Sequence, residues 1–304
     1  MAIYRSEISQ MMFVIGDSEP MTETTTLVEE IVRAQVIEML VQATGQASRR
    51  NSKSISVEDL IFLIRHDKAK VNRLRTYLSW KDVRKNAKDT DGGADGTELL
   101  EDGGAQPESK LKYRKARVGL PWDLASMFAE QVPEREDEED EDETEANFAT
   151  MQRLKNADER TRGMSKDEYV HWSECRQASF TYRKSKRFRE WTHMAQLTES
   201  RPSDDIVDIL GFLTFEIVAS ITEESLKVKE RDVDEEHAEA ERGLRGKRRR
   251  SEDRTLFDMP DEGRTPLGVK HIEEGYRRLQ VNSRESSALR MYQGGRFRIK
   301  TVLI

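Results

Sequence analysis

Residues 203–228 read SDDIVDILGFLTFEIVASITEESLKV, the most apolar stretch of a chain that is otherwise rich in charge. At 100° per residue, the large apolar side chains of this stretch share one wide face of a helix of about five turns. Ser203, followed by Asp204 and Asp205, is a typical start for such a helix, because oxygen atoms and negative charge stabilise its first N–H groups. A face this apolar needs a partner that covers it. We expect its core to consist of Ile206, Leu210, Leu213, Ile217 and Ile221.

The sequence TTTLVEEIVRAQVIEMLVQATGQA, residues 24–47, predicts a partner helix of matching length. Its apolar residues cover most of the circumference, which is typical of a helix packed on more than one side. Thr26 and Glu29 have the spacing of a capping box near its start. Two long central helices therefore organise the fold. The core residues expected from the partner helix are Leu27, Ile31, Val32, Val36 and Leu40.

The composition limits the cellular setting of the protein. Charged and hydrophobic residues each make up 36% of the 304 residues, so we expect part of the chain to be solvated linker. The apolar stretch contains Glu216 and is flanked by acids, so we predict neither a signal peptide nor a membrane span. The single cysteine, Cys175, excludes an internal disulfide and favours a reducing, intracellular compartment. A net charge of −7 argues against indiscriminate wrapping of nucleic acid.

Short amphipathic helices surround both long ones. The first half has helical patterns at 5–15 and 57–65, and a basic helix follows at 68–88. The order short, long, short is typical of a histone fold. Because the second half repeats this order, with its last short helix at 266–280, we predict an all-α protein with two histone folds paired head to tail in one chain.

The charge pattern predicts charged connecting segments between the two folds. The predicted boundaries are 1–88 for the N-terminal fold with its extension helix, 89–145 for a linker, 146–230 plus 265–281 for the C-terminal fold, 231–264 for a disordered insertion and 282–304 for a tail. Within the linker, the apolar residues near 111–128 predict a docking segment, whereas the acidic run at 134–145 is interpreted as a spacer.

Four blocks of the ordered halves resemble a known family. They read FLIRHDKAKVNRLRTYLSWKDVRKNAK, YVHWSECRQASFTYRKSKRFREW, DILGFLTFEIV and HIEEGYRRLQ, and they are similar to the suppressor-of-Ty double histone-fold subunits of SAGA transcriptional coactivators. The resemblance implies a nuclear, non-enzymatic scaffold subunit without a cofactor. It also implies that the protein binds the TATA-binding protein (TBP) and other subunits of a SAGA-like complex, and helps deliver TBP to promoters for RNA polymerase II transcription.

A stripe of acids beside the apolar face of the second long helix is the candidate contact with TBP. Acids around an exposed aromatic residue suit a basic partner surface, where electrostatics sets specificity. A solvated helix face is the alternative interpretation. The candidate contact residues are Asp205, Asp208, Phe212, Glu216 and Glu223.

A histone-like DNA-binding pair is the alternative function. Arg49, Arg50 and Lys53 form a basic loop after the first long helix, and phosphate neutralisation needs such clusters. Because acids flank these residues and the isoelectric point is about 5.5, we do not expect direct DNA binding. Further basic residues follow at Arg65, Lys68, Lys70, Arg73 and Arg75.

Other chemistry has little support in the sequence. His171 and Cys175 have the spacing of two metal ligands on a helix, but the remaining histidines are scattered and no second cysteine exists. We find no phosphate-binding loop and no nucleophile motif, so we predict no catalytic residues, metal or cofactor. Trp172 and Trp191 are interpreted as packing residues. The run Lys247, Arg248, Arg249 and Arg250 is either a nuclear import signal or a charged loop.

Overall fold

The computed structural model describes residues 3–90, 141–244, 265–290 and 303–304. Within these ranges the regular secondary structure is helical and contains no strand, which confirms the all-α prediction. The helices of the first half are α1 (Arg5–Ile15), α2 (Thr22–Arg49), α3 (Val57–Ile64) and α4 (Lys68–Thr90). Those of the second half are α5 (Glu141–Thr161), α6 (Lys166–Cys175), α7 (Ser185–Trp191), α8 (Met194–Leu197), α9 (Asp204–Leu244) and α10 (Val269–Arg290).

The chain divides into two compact units. One unit comprises residues 1–57 and 157–304, and the other comprises residues 58–156. In the smaller unit, α4 buries Val71, Leu74 and Leu78, the inward face that its apolar spacing predicts. None of the described helices is long and apolar enough to cross a membrane.

The core of the larger unit lies where the two long helices meet. Helix α9 packs against α1, α2, α7 and α10, and α2 packs against α1, α8 and α10. All the predicted core positions except Leu27 are buried, and Leu27 is only half-buried. The two long helices found from the sequence therefore do organise this unit.

Helix α10 approaches α9 closely enough to require a glycine. A Cβ atom added at Gly275 would lie 2.6 Å from Ser225 Oγ and 3.0 Å from the Ser225 backbone nitrogen. A Cβ atom added at Gly211 would likewise overlap the side chain of Thr181. Gly275 therefore allows the backbones of α9 and α10 to come into direct contact, and Gly211 leaves room for the side chain of Thr181.

Side chains cap the starts of α6 and α9. Glu168 N–H donates to Ser165 Oγ (3.4 Å) and Ser165 N–H donates to Glu168 Oε2 (2.7 Å), so α6 begins with a capping box. The Ile206 N–H donates to Ser203 Oγ at 3.5 Å, as expected for the start of α9. Hydrogen bonds from the backbone N–H and the side chain of Ser165 lower the pKa of the Glu168 carboxyl, because they stabilise its charged form.

The predicted capping box of α2 is wrong. This helix begins at Thr22, and the Thr26 hydroxyl donates to the Thr22 carbonyl oxygen at 2.7 Å. Glu29 is 4% exposed and accepts hydrogen bonds from residues outside α2. The predicted helix starts two residues too late, at residue 24. The spacing of Thr26 and Glu29 resembles a capping box, but it carries no information about the distant donors that Glu29 binds.

Several predicted features fall at or beyond the edges of the described ranges. Helix α9 continues to Leu244, inside the span assigned to an insertion, and α10 continues to Arg290. Helix α5 begins at Glu141, inside the predicted acidic run. The docking segment near 111–128 and the basic run at 247–250 lie outside the described residues.

Candidate partner-binding surface

The loop before α2 is joined to the loop before α10. Leu267 N–H donates to Asp17 Oδ1 at 3.2 Å, and Lys229 Nζ donates to the Thr265 carbonyl oxygen. Asp17 is 1% exposed, and burial raises the pKa of its carboxyl above the usual range despite the stabilising N–H of Leu267. This first loop junction therefore connects residues from opposite ends of the sequence.

A second loop junction lies at the other end of α2. Asn51, two residues after the end of α2, adopts the left-handed conformation (φ 57°), which asparagine tolerates well. The Ser200 hydroxyl donates to the Lys53 carbonyl oxygen at 2.9 Å. The Thr44 hydroxyl donates to the Leu197 carbonyl oxygen at 3.5 Å. The loop after α2 thus meets the loop before α9.

Glu29 is the centre of a polar contact between the halves. Its carboxylate accepts the N–H groups of Ile3 (2.7 Å) and Tyr4 (3.0 Å), which precede α1, and the indole N–H of Trp191 (3.1 Å). One turn further along α2, Arg33 Nε donates to the Trp191 carbonyl oxygen at 2.9 Å. Arg33 Nη2 also donates to His193 Nε2 at 2.6 Å. No local sequence pattern indicates these roles of Glu29 and Arg33.

Aromatic rings surround this polar contact. The Tyr4 ring centroid lies 4.7 Å from that of Phe180 and 5.0 Å from that of Trp191, and Phe188 adds a further ring. Burial raises the pKa of Tyr4 to about 12, with Arg187 opposing the shift. Trp191 is 6% exposed and Trp172 is 5% exposed, so their assignment as packing residues is confirmed.

The acidic stripe on α9 is only partly accessible. Asp205 and Glu223 are exposed, and Asp208 and Phe212 are half-buried. Glu216 is only 6% exposed, so it contributes little to the accessible surface of the stripe. We call Asp205, Asp208, Phe212 and Glu223 the α9 acidic face. Arg160 Nη2 of α5 lies 3.1 Å from Glu223 Oε1, which shows that a basic side chain can pair with this face.

The candidate DNA-binding residues divide into two groups. Arg49, Arg50 and Lys53 are exposed at the end of α2 and in the loop that follows. In the smaller unit, Lys70 is 7% exposed and its Nζ lies 3.6 Å from Asp67 Oδ2, while the Arg65 guanidinium lies 3.9 Å from the Phe62 ring centroid. Some of the basic residues therefore already interact with their own chain.

The possible metal ligands form only a pair. His171 Nε2 lies 3.6 Å from Cys175 Sγ, and Cys175 is 2% exposed. Burial raises the pKa of the Cys175 thiol, which disfavours the thiolate that a metal or a nucleophilic reaction needs. In the part of the chain that the structure describes, no three potential ligands come together.

Comparison with known proteins places the first half in a transcription-factor family. A family model for the 18-kDa subunit of transcription initiation factor IID matches residues 2–92. The TFIID subunit 13 of Arabidopsis thaliana is 33% identical over 87 residues, which cover 28% of this chain and 68% of that protein. The N-terminal region is therefore a histone-fold domain of the TFIID-subunit class, as the helix order predicts.

Longer relatives identify the family of the whole chain. SAGA complex subunit Spt3 of Schizosaccharomyces pombe is 55% identical, with coverage of 99% of this chain and 97% of that protein. SAGA complex subunit SPT3 of Saccharomyces cerevisiae is 49% identical, with coverage of 99% and 98%. The chain belongs to the Spt3 family of transcription coactivator subunits, which are not enzymes.

Proposed function

We propose that this protein is a subunit of a nuclear SAGA-like coactivator complex that binds TBP and helps deliver it to promoters. The observation that carries this proposal is near full-length similarity to two proteins named as SAGA complex subunits. Similarity that extends through both halves favours a role that uses both. In this proposal the protein is a scaffold, and its partners are TBP and other subunits of the complex.

The proposed architecture is a pair of histone folds, one from each half of the chain. In a head-to-tail pair, the loops that flank one long helix meet the loops that flank the other. The Asp17–Leu267 and Lys53–Ser200 hydrogen bonds, at opposite ends of α2, support this arrangement. Pairing within one chain also replaces a bimolecular association by a contact at high effective concentration.

The α9 acidic face is the proposed TBP contact. Two exposed carboxylates and a half-buried Asp208 lie on the same side of α9 as the half-buried Phe212, which suits an elongated basic surface with an apolar contact. The ion pair between Arg160 and Glu223 is a local precedent for that chemistry. Glu216 remains part of the proposal, but its burial gives it the role of supporting the helix surface beneath the contact.

Calorimetric titration with purified TBP at physiological salt tests this proposal. A variant with Asp205→Asn, Asp208→Asn and Glu223→Gln should bind about tenfold more weakly, because rim charge pairs contribute about 0.2–1 kcal/mol each. A control variant with Glu30→Gln, Glu190→Gln and Glu199→Gln removes the same charge from exposed positions elsewhere and should bind like the unmodified chain.

Equal affinities for all three proteins would contradict the assignment of the α9 acidic face. Failure of the unmodified chain to bind TBP, together with retention on duplex DNA at the same salt concentration, would favour the DNA-binding alternative. In that case binding should weaken steeply with salt, because neutralised phosphates release counterions.

A further inference from the structure

A tight turn between α6 and α7 is fixed by its own hydrogen bonds and by buried side chains. Ser179 Oγ accepts the N–H groups of Thr181 and Tyr182 at 3.3 and 3.2 Å. Lys184 N–H donates to the Thr181 carbonyl oxygen at 2.9 Å. Phe180 is 0% exposed and Thr181 is 6% exposed, so both side chains anchor the turn in the core. We call residues 179–184 the Tyr182 turn.

The Tyr182 turn places an aromatic ring and a cation together on the surface. Tyr182 is 67% exposed. The Arg183 Cζ atom lies 5.3 Å from the Tyr182 ring centroid, within the range of a cation–π contact. Arg183 also has φ 57°, a left-handed backbone conformation that costs energy in a residue other than glycine and is found preferentially at functional sites. The anchored turn therefore holds this exposed pair in one arrangement.

Positive charge is concentrated around this pair. Residues 182–187 read YRKSKR and contain four cations and no acid. Glu190, one turn further along α7, is the acid nearest to Lys186 in the sequence, yet neither Lys186 nor Arg183 has an ion-pair partner in the described ranges. An uncompensated cationic patch on a chain of net charge −7 suits a negatively charged partner. We call the exposed residues Tyr182, Arg183, Lys186 and Arg187 the basic–aromatic surface.

A cavity of about 300 Å³ adjoins the basic–aromatic surface, and Tyr182 and Arg183 form part of its lining. Polar side chains from α1 and from residues 174–179 complete it, namely Glu7, Gln10, Glu174, Gln177 and Ser179. The two glutamine amides can both donate and accept hydrogen bonds, as the main chain of a bound peptide requires. The carboxylates in the lining disfavour a phosphate backbone, because they repel it. The site is therefore better suited to an acidic peptide than to nucleic acid.

We propose that the basic–aromatic surface and its cavity bind an acidic linear segment of a partner protein. Carboxylates of the segment pair with Arg183, Lys186 and Arg187, and the arginines offer two N–H groups to one carboxylate. The Tyr182 ring packs on an apolar side chain of the segment, since exposed tyrosine and arginine are the residues that contribute most in protein interfaces. This site goes beyond the proposed function, in which carboxylates of α9 contact a basic partner.

The test uses a short fluorescent peptide in which Asp and Glu alternate with Leu and Phe, titrated into the full chain at physiological salt and followed by anisotropy. The variant Arg183→Gln with Lys186→Gln should bind the peptide about fivefold more weakly, because two charge pairs are lost. The control variant Arg162→Gln with Lys270→Gln removes the same charge from exposed positions elsewhere and should bind like the unmodified chain.

A second pair of variants tests the aromatic ring. Tyr182→Ala should weaken binding about tenfold, whereas Tyr182→Phe keeps the ring and should bind like the unmodified chain. Both substitutions leave the backbone N–H of residue 182 and the buried Phe180 in place. Thermal unfolding of the same samples verifies that the variants remain folded.

Equal affinity of the Arg183/Lys186 variant and its control would overturn the proposal, as would equally tight binding of a peptide with Lys in place of Asp and Glu. Absence of saturable binding of the acidic peptide to the unmodified chain would also overturn it. Binding of duplex DNA that the Arg183/Lys186 variant loses, without peptide binding, would assign the surface to nucleic acid instead. These measurements contain no TBP, so their outcome is independent of the proposed coactivator role.

Discussion

Replacing Glu29 by glutamine tests how strongly the buried carboxylate holds the two halves together. The carboxylate is 4% exposed and accepts the N–H groups of Ile3, Tyr4 and Trp191. Glutamine has nearly the same shape, but it offers one oxygen acceptor and an NH₂ group that is itself a donor. At least one of the three N–H groups must then face another donor.

The size of the effect follows from the hydrogen bonds that are lost. Each bond to a charged acceptor contributes about 1.5–3 kcal/mol, but the neutral side chain also avoids the cost of burying a charge. We expect Glu29→Gln to lower the free energy of unfolding by about 2–4 kcal/mol. For a folded region of this size that corresponds to a fall in Tm of about 5–15 °C.

The assay is thermal unfolding followed by far-UV circular dichroism, with the near-UV signal reporting on the environment of Trp191. Glu30→Gln is the matched control, because Glu30 is the next residue of α2 and is exposed. Its effect should stay within about 0.5 kcal/mol. If both variants melted within a degree of each other, the central role given to Glu29 would be refuted.

Further substitutions test separate contacts in the larger unit. Tyr4→Phe should raise the free energy of unfolding by about 1 kcal/mol, because the buried Tyr4 hydroxyl has no hydrogen-bond partner among the described residues. The Tm should rise accordingly, and a lower Tm would contradict this. Gly275→Ala should cost about 1–3 kcal/mol in chemical denaturation, because its Cβ would overlap α9, whereas Gly45→Ala, with open space around it, should stabilise. Asp17→Asn keeps an acceptor for Leu267 N–H and removes the titrating group. Because the pKa of Asp17 is raised on folding, its protonation contributes stability that is fully present below about pH 3.8 and is lost as pH rises through the folded value. Chemical denaturation across this range should therefore show the unmodified chain gaining stability relative to Asp17→Asn on acidification, and a constant difference would contradict the raised pKa.

Helix positions could be predicted from local sequence because local rules determine them. The pattern Ile8, Met11, Met12 and Ile15 predicts a helix over 5–15, which is the observed range of α1. Gly16 ends that helix with φ 130°, a conformation that disfavours other residues. The capping box at Ser165 was also visible, because its partners are three residues apart.

The polar contacts between the halves could not be predicted, because their partners are far apart in sequence. Glu29 has the spacing of a local capping residue, yet Trp191 is 162 positions away. The partner of Asp17 is 250 positions away. No periodicity or motif in a single sequence connects residues at such distances.

The accessibility of the α9 acidic face was only partly predictable for a related reason. A helical wheel places Glu216 beside the apolar face together with Asp208 and Phe212. The wheel therefore does not show which of the three side chains is accessible to solvent. Helices α1, α2, α7 and α10 all pack against α9, and this packing buries Glu216 while Asp205 stays exposed. Burial at the edge of an amphipathic helix is decided by the neighbouring elements, which the helix's own pattern does not specify.

The claim that one chain supplies both members of the histone-fold pair is tested most directly by its mass in solution. Sedimentation equilibrium over a wide concentration range should give the mass of a single chain, 35.2 kDa, with a Tm that does not change with concentration. A mass that rises toward twice this value, with a Tm that increases with concentration, would contradict the claim, because it would show that the folds pair between chains.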